Sequence, residues 1–124
     1  MIKRKKIISS EHQLQKAAVK MLRAHNFLCF HTDVFNGISF IKDIKSKAIY
    51  KQHMIDLGAS VGQPDLIVIK NGKITFVEFK YGTGRLSPEQ KVWRDRLIAE
   101  GYDWKCWRTI EECQDFILEK LNEK

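Results

Sequence analysis

The dipeptide Asn71-Gly72 lies between two short apolar runs, "DLIVIK" and "KITFVEFK". Asn-Gly between β-branched and aromatic residues is the strongest short-range signal for a two-residue type I′ turn, because both central residues need positive φ and these two tolerate it best. A turn of two residues leaves one register. With Lys70 opposite Lys73, Ile69 faces Ile74, Ile67 faces Phe76, and Asp65 faces Glu78. Side chains alternate along a strand, so Asp65, Glu78 and Lys80 share one face at the open end of the hairpin, while Leu66, Val68, Val77 and Phe79 share the other. Both faces are largely apolar, as expected of a central strand pair covered by helices on each side.

Two acids directly opposite each other destabilise a sheet. Partly buried carboxylates cost on the order of several kcal/mol unless they are paired or bound to metal. Lys80 supplies one positive charge, and a divalent metal on carboxylate oxygens would supply the rest. A plainer reading fits the same three residues: a hairpin end open to water, with Glu78 paired to Lys80.

The remaining pattern is helical around this hairpin. Ser10 with Gln13 three residues on has the form of a capping box, and Leu14, Ala17, Ala18, Met21, Leu22 and His25 recur at helical spacing as a core-facing stripe that Glu11 extends by one turn. Residues 27–34, "FLCFHTDV", read as a first strand. Within the Lys-rich stretch that follows, "AIYKQHMIDLG" predicts a short helix ended by Gly58. "SPEQ" at 87–90 opens another helix, with Ser87 as N-cap and Pro88 in the first helical position. "WKCW" is the last strand, and Thr109 caps a final helix that turns Cys113, Phe116, Ile117 and Leu121 inward. Helix, strand, helix, hairpin, helix, strand, helix implies an α/β fold, a mixed central β-sheet flanked by helices.

At 124 residues the chain has the length of one domain, with 1–8 as a basic N-terminal tail containing "KRKK". A formal charge of +7 favours an anionic partner, for which nucleic acid is the commonest candidate. Lys42, Lys45, Lys47, Lys51, Arg85 and Lys91 are the candidates for contact with backbone phosphates, which position DNA without reading its sequence. Three cysteines without ligand-like spacing indicate neither a disulfide framework nor a zinc site. They suit a reducing, cytoplasmic compartment. No apolar run reaches transmembrane length, and no small-molecule cofactor motif is present.

"GQPD" at 62–65, "EFK" at 78–80 and the earlier Glu11 resemble the PD-(D/E)XK nuclease superfamily, with its restriction-endonuclease-like core. The ordered series Glu11, Gly62-x-Pro64-Asp65, Glu78-x-Lys80, "LSPEQKVW" and Gly101 is more specific. It resembles the VRR-NUC family, the virus-type replication-repair nucleases of phages and bacteria, over most of the chain. Residues 35–57 match no part of that pattern. The resemblance implies a DNA endonuclease using Mg²⁺ or Mn²⁺. Asp65, Glu78 and the backbone carbonyl of Phe79 would be metal ligands, with Glu11 a third carboxylate acting directly or through water. Lys80 would orient the attacking water and stabilise transition-state charge, with Gln90 near the metal or that lysine. Three acids and one lysine leave a local charge near −2, which one divalent ion neutralises. Stand-alone members resemble Holliday junction resolvases, which implies a homodimer acting on branched or duplex DNA in replication, recombination or repair of a phage or prophage.

Some of these residues have simpler explanations. An acid such as Glu11 belongs in a helix first turn on electrostatic grounds alone, and Ser87 with Gln90 forms a capping box without any catalytic duty. Trp93 is expected in the core rather than as a stacking platform. Gly62 is explained by a tight approach to Asp65 or a positive φ. His12, His25, His31 and His53 share no ligand spacing. Two rival readings survive: a DNA-binding module with a nuclease-like fold and no catalysis, and a basic surface for an acidic protein.

Overall fold

The computed structural model describes residues 7–32 and 40–123. In chain order they form α1 (Glu11–Ala24), β1 (Leu28–His31), α2 (Ile44–Asp56), β2 (Leu66–Lys70), β3 (Lys73–Phe79), α3 (Pro88–Ala99), β4 (Asp103–Trp107) and α4 (Ile110–Leu121). The strands make one mixed sheet in the order β1-β2-β3-β4. The first two pairings are antiparallel and the third is parallel, because α3 carries the chain back across the sheet before β4 starts.

The hairpin register is the expected one. Asn71 and Gly72 take φ of 55° and 74°, the pair of positive values that a type I′ turn requires. Lys70 then pairs with Lys73, Ile67 with Phe76 and Leu66 with Val77. Leu66, Val68, Val77 and Phe79 are buried against α1 and α4 in a core with Leu14, Ala18, Leu22, Phe27, Trp107, Phe116 and Ile117. Ring contacts run Phe79 to Trp107 to Phe116 to Phe27. The opposite face carries α3 and is less completely covered, so Ile67, Ile69, Ile74 and Phe76 are half-buried.

Local capping explains where the helices begin. Ser10, Asp43, Ser87 and Thr109 each accept a backbone N–H three residues on, satisfying a donor the helix leaves orphaned. In α3 and α4 the N3 side chain reciprocates, completing a capping box. At α1 it does not: Gln13 turns to the Ser9 N–H and hydroxyl instead.

Several sequence expectations need correction. The second helix starts at Ile44 rather than near Ala48, since Asp43 is a stronger N-cap than anything later in that stretch. His25 is exposed at the C-cap of α1, its Nδ1 2.9 Å from the Met21 carbonyl. Leu121 is exposed and the Lys120 stem is buried in its place, its ammonium bonded to Glu123 at 3.0 Å and lying over the Phe116 ring. A long side chain can cover apolar surface while its charge reaches water. Ile8 packs against the core. "KRKK" and the proposed end of the first strand at 33–34 lie outside the described residues. Among the described residues no helix is long and apolar enough to cross a membrane.

Candidate active site

The antiparallel ladder ends with Leu66 opposite Val77, and the next positions are Asp65 and Glu78. Glu78 is only 1% exposed. The Gln90 side-chain amide donates to Glu78 Oε1 at 2.8 Å, and Asp65 Oδ2 accepts the Phe79 N–H at 2.8 Å. Burial drives the Glu78 carboxyl up to about 9, with the charge of Asp65 and a hydrogen bond between the two carboxyl groups adding to it and Lys80 opposing. Without a cation this acid pair therefore retains a proton at neutral pH. Ordinary salt bridging of Glu78 with Lys80 would push the other way.

Glu11 stands in the first turn of α1, one turn before the buried Leu14 on the same face, and is itself exposed. Its carboxyl is raised by partial burial, against the nearby Lys80 charge, with Asp65 contributing further. Glu11 is thus within electrostatic reach of the other three groups. Among the described residues no three Asp, Glu, His or Cys side chains are grouped so as to hold a metal ion as they stand.

The backbone offers a carbonyl oxygen as well. Lys80 N–H bonds the Trp107 carbonyl at 3.1 Å, so its peptide faces β4 and that of Phe79 faces the start of β2. The residue that continues the ladder opposite Phe79 is Pro64, which has no N–H to give the Phe79 carbonyl. Asp65 and Glu78 with that carbonyl, and Glu11 through water or on closer approach, would offer an all-oxygen set, the preference of hard cations such as Mg²⁺ and Mn²⁺. A carboxyl pair that burial and mutual repulsion leave protonated fits such an ion, whose charge would take the proton's place.

Gln90 unites both of its sequence-level explanations. Its Oε1 accepts the Ser87 N–H at 2.9 Å in the capping box while its Nε2 reaches Glu78. Gly62 has φ of +89°, but the close approach that excludes a side chain is to α3 and not to Asp65: a Cβ would lie 2.5 Å from the Glu89 carbonyl carbon and 2.8 Å from the Gln90 nitrogen. Trp93 is half-buried, its indole N–H bonded to Ser60.

Of the phosphate-contact candidates, Lys42, Lys45, Lys51, Arg85 and Lys91 are exposed and Lys47 is half-buried. Arg85 and Lys91 flank the first turn of α3, beside Gln90. The other four lie on or just before α2, which buries none of its residues. His12 is exposed next to Glu11.

Three residues join the site that pattern reasoning passed over. Thr32 follows β1 directly, with its N–H on the Asp65 carbonyl at 3.0 Å and its hydroxyl on the Pro64 carbonyl. Ser60 meets α3. Arg108 donates to the Gly84 carbonyl at 2.6 Å and the Gly82 carbonyl at 3.3 Å, clasping the loop that follows Lys80. Each works through contacts between residues more than twenty positions apart, for which a single sequence carries no local signal.

A mixed sheet with facing acids at the end of its central hairpin and a lysine two residues beyond defines an α/β domain of the nuclease type. The VRR-NUC domain family matches residues 39–109, more than half of the chain, and the chain belongs to that family. A solved structure titled "VRR_NUC domain" is similar over 89% of this chain and 96% of its own, with a TM-score of 0.62 and 21% identity. At that identity the likeness speaks for the fold. No curated protein matches the sequence. Membership makes this a nuclease domain, with DNA as the implied substrate. The matched segment contains Asp65, Glu78, Lys80 and Gln90, whereas Glu11 precedes it.

Proposed function

We propose that this chain is a single-domain, Mg²⁺- or Mn²⁺-dependent DNA endonuclease in which Asp65, Glu78 and the Phe79 carbonyl hold the metal. The observation that carries this reading is the buried Glu78, pressed against Asp65 with its carboxyl raised to about 9 and turned by Gln90. A purely structural pair of acids would be expected to acquire a full ionic partner or to be replaced by apolar residues. When bound, the ion supplies Lewis-acid activation of water and phosphate.

The protein's own groups do the rest. Lys80, on the same face as Glu78, orients the attacking water and offsets the negative charge that grows on the phosphate oxygens. Gln90 holds Glu78 in one orientation through its 2.8 Å bond. Glu11 acts on the same centre through water or by direct approach, consistent with its place beside Lys80 and Asp65. Arg85, Lys91 and the lysines of the α2 region grip backbone phosphates. Branched DNA, cut in the manner of a junction resolvase by a homodimer in a phage or prophage setting within the cytoplasm, is the substrate and context we assign. One chain presents one such centre, and paired incisions need two.

The test is cleavage of a four-way junction, a flap and a linear duplex with Mg²⁺, Mn²⁺ or EDTA, beside Asp65→Ala. Metal-dependent cutting that Asp65→Ala abolishes is the expected result. DNA binding without cutting under every metal would replace this reading with a non-catalytic binding module.

A further inference from the structure

We infer that residues 60–62 are a latch that sets α3 on the sheet and so holds Gln90 against Glu78, making Gly62 a positioning residue for that carboxylate. The inference rests on the roles proposed above for Glu78 and Gln90. The loop meets the helix at two points one turn apart. At the first, the Gly62 backbone lies so close to α3 that a Cβ would stand 2.5 Å from the Glu89 carbonyl carbon, 2.7 Å from Glu89 Cβ and 2.8 Å from the Gln90 nitrogen. Two of those are backbone atoms of a helix, which no rotamer change can move aside. At the second, Trp93 donates its indole N–H to Ser60 Oγ at 3.2 Å. Gln90 and Trp93 are three residues apart and so share a helix face.

The latch is tied to the acids from the other side. Ser60 N–H donates to Gln63 Oε1 at 3.0 Å, and Gln63 Nε2 donates to the Thr32 carbonyl. Thr32 N–H in turn bonds the Asp65 carbonyl at 3.0 Å. One loop thus connects the end of β1, the Asp65 backbone and the first turns of α3, and the distance from Gln90 to Glu78 depends on it. The "GQPD" and "LSPEQKVW" segments therefore contact each other as two halves of one device.

Gly58 provides the control. It also has a positive φ, +109°, but a Cβ there meets nothing within 4 Å. Gly58→Ala carries the backbone strain without the collision. The experiment compares Gly62→Ala, Gly58→Ala and Ser60→Ala, each alone and with Gln90→Ala, in junction cleavage and in the NMR cross-peaks of the Gln90 side-chain amide in metal-free protein. Misplacement by about 1 Å costs on the order of 10²-fold in rate, so Gly62→Ala should lose about that much, with Ser60→Ala intermediate and Gly58→Ala near wild type. In the Gln90→Ala background the Gly62→Ala loss should largely vanish, because residues that act through one another are not additive. The Gln90 amide signals should shift in Gly62→Ala and Ser60→Ala and stay in place in Gly58→Ala.

An unchanged Gln90 signal in Gly62→Ala, or an equal loss with and without Gln90, overturns the latch. Should Gly62→Ala not fold, Ser60→Ala decides by the same two readouts. A wild-type protein that never cuts DNA refutes the nuclease reading instead, and the NMR comparison still judges the latch.

Discussion

Raising the pH should destabilise the metal-free protein, and Glu78 is the reason. Its carboxyl rises from an ordinary 4.5 to about 9 through burial and the neighbouring Asp65, so the folded state holds a proton that the unfolded chain gives up near pH 4.5. A group whose folded pKa is raised contributes stability that is fully present below the unfolded value and lost as pH climbs through the folded one. The window is therefore about pH 4.5 to 9. At 1.36 kcal/mol per unit the whole span corresponds to about 6 kcal/mol. Asp65 shares the proton, so the loss we expect between pH 5 and 9 is a few kcal/mol, on the order of 10 °C in Tm for a domain of this size. Glu11, also raised, acts in the same direction. The lowered carboxyls of Asp43 and Glu123 titrate below the window, and the raised thiol of Cys113, at about 12, titrates above it. Thermal melts in EDTA at five pH values, beside Glu78→Gln and beside Mg²⁺, provide the assay. Glu78→Gln cannot titrate and should flatten the curve, and saturating Mg²⁺ should flatten it by taking the proton's place. A wild-type Tm in EDTA that does not fall from pH 5 to 9, or an equal fall in Glu78→Gln, would refute the reasoning.

Other expectations follow from the same geometry. Lys80→Ala should lower the cleavage rate by roughly 10²-fold or more while leaving DNA affinity and Tm within error of wild type, and cutting at the wild-type rate would remove Lys80 from the centre. Pro64→Ala returns an N–H opposite the Phe79 carbonyl, so calorimetric Mn²⁺ affinity should weaken severalfold with little loss of Tm. Unchanged affinity there would mean that the carbonyl is no ligand. Replacing Lys45 and Lys51 by Ala should reduce the slope of log affinity for duplex DNA against log salt by about 0.9 per lost contact, whereas an unchanged slope would place α2 away from the DNA.

Features that depend on neighbours in sequence were legible in advance. The Asn71-Gly72 turn set every cross-strand partner in the hairpin, and Ser87 and Thr109 announced their helices, because a turn or cap is made by residues within three or four positions. Helical periodicity found the buried faces of α1 and α4 but not where those faces stop. His25 and Leu121 fit the spacing and are nonetheless exposed, since the last turn of a helix is buried only if another element extends over it. The early start of α2 has a different origin: Asp43 caps it by accepting the Ser46 N–H at 2.8 Å.

For the site, the sequence alone determined which chemical groups are present and, through the hairpin register, that Asp65 and Glu78 face each other with Lys80 on the same side. Tertiary structure decided what those groups become. It brings Gln90 of α3 to Glu78, stands Glu11 of α1 near Lys80, and seats the "GQPD" loop between the end of β1 and the first turn of α3. Burial, and with it the retained proton on Glu78, arises only when both layers close over the sheet. A carboxyl's pKa depends on the water excluded and the charges gathered around it from distant parts of the chain, and local sequence encodes neither.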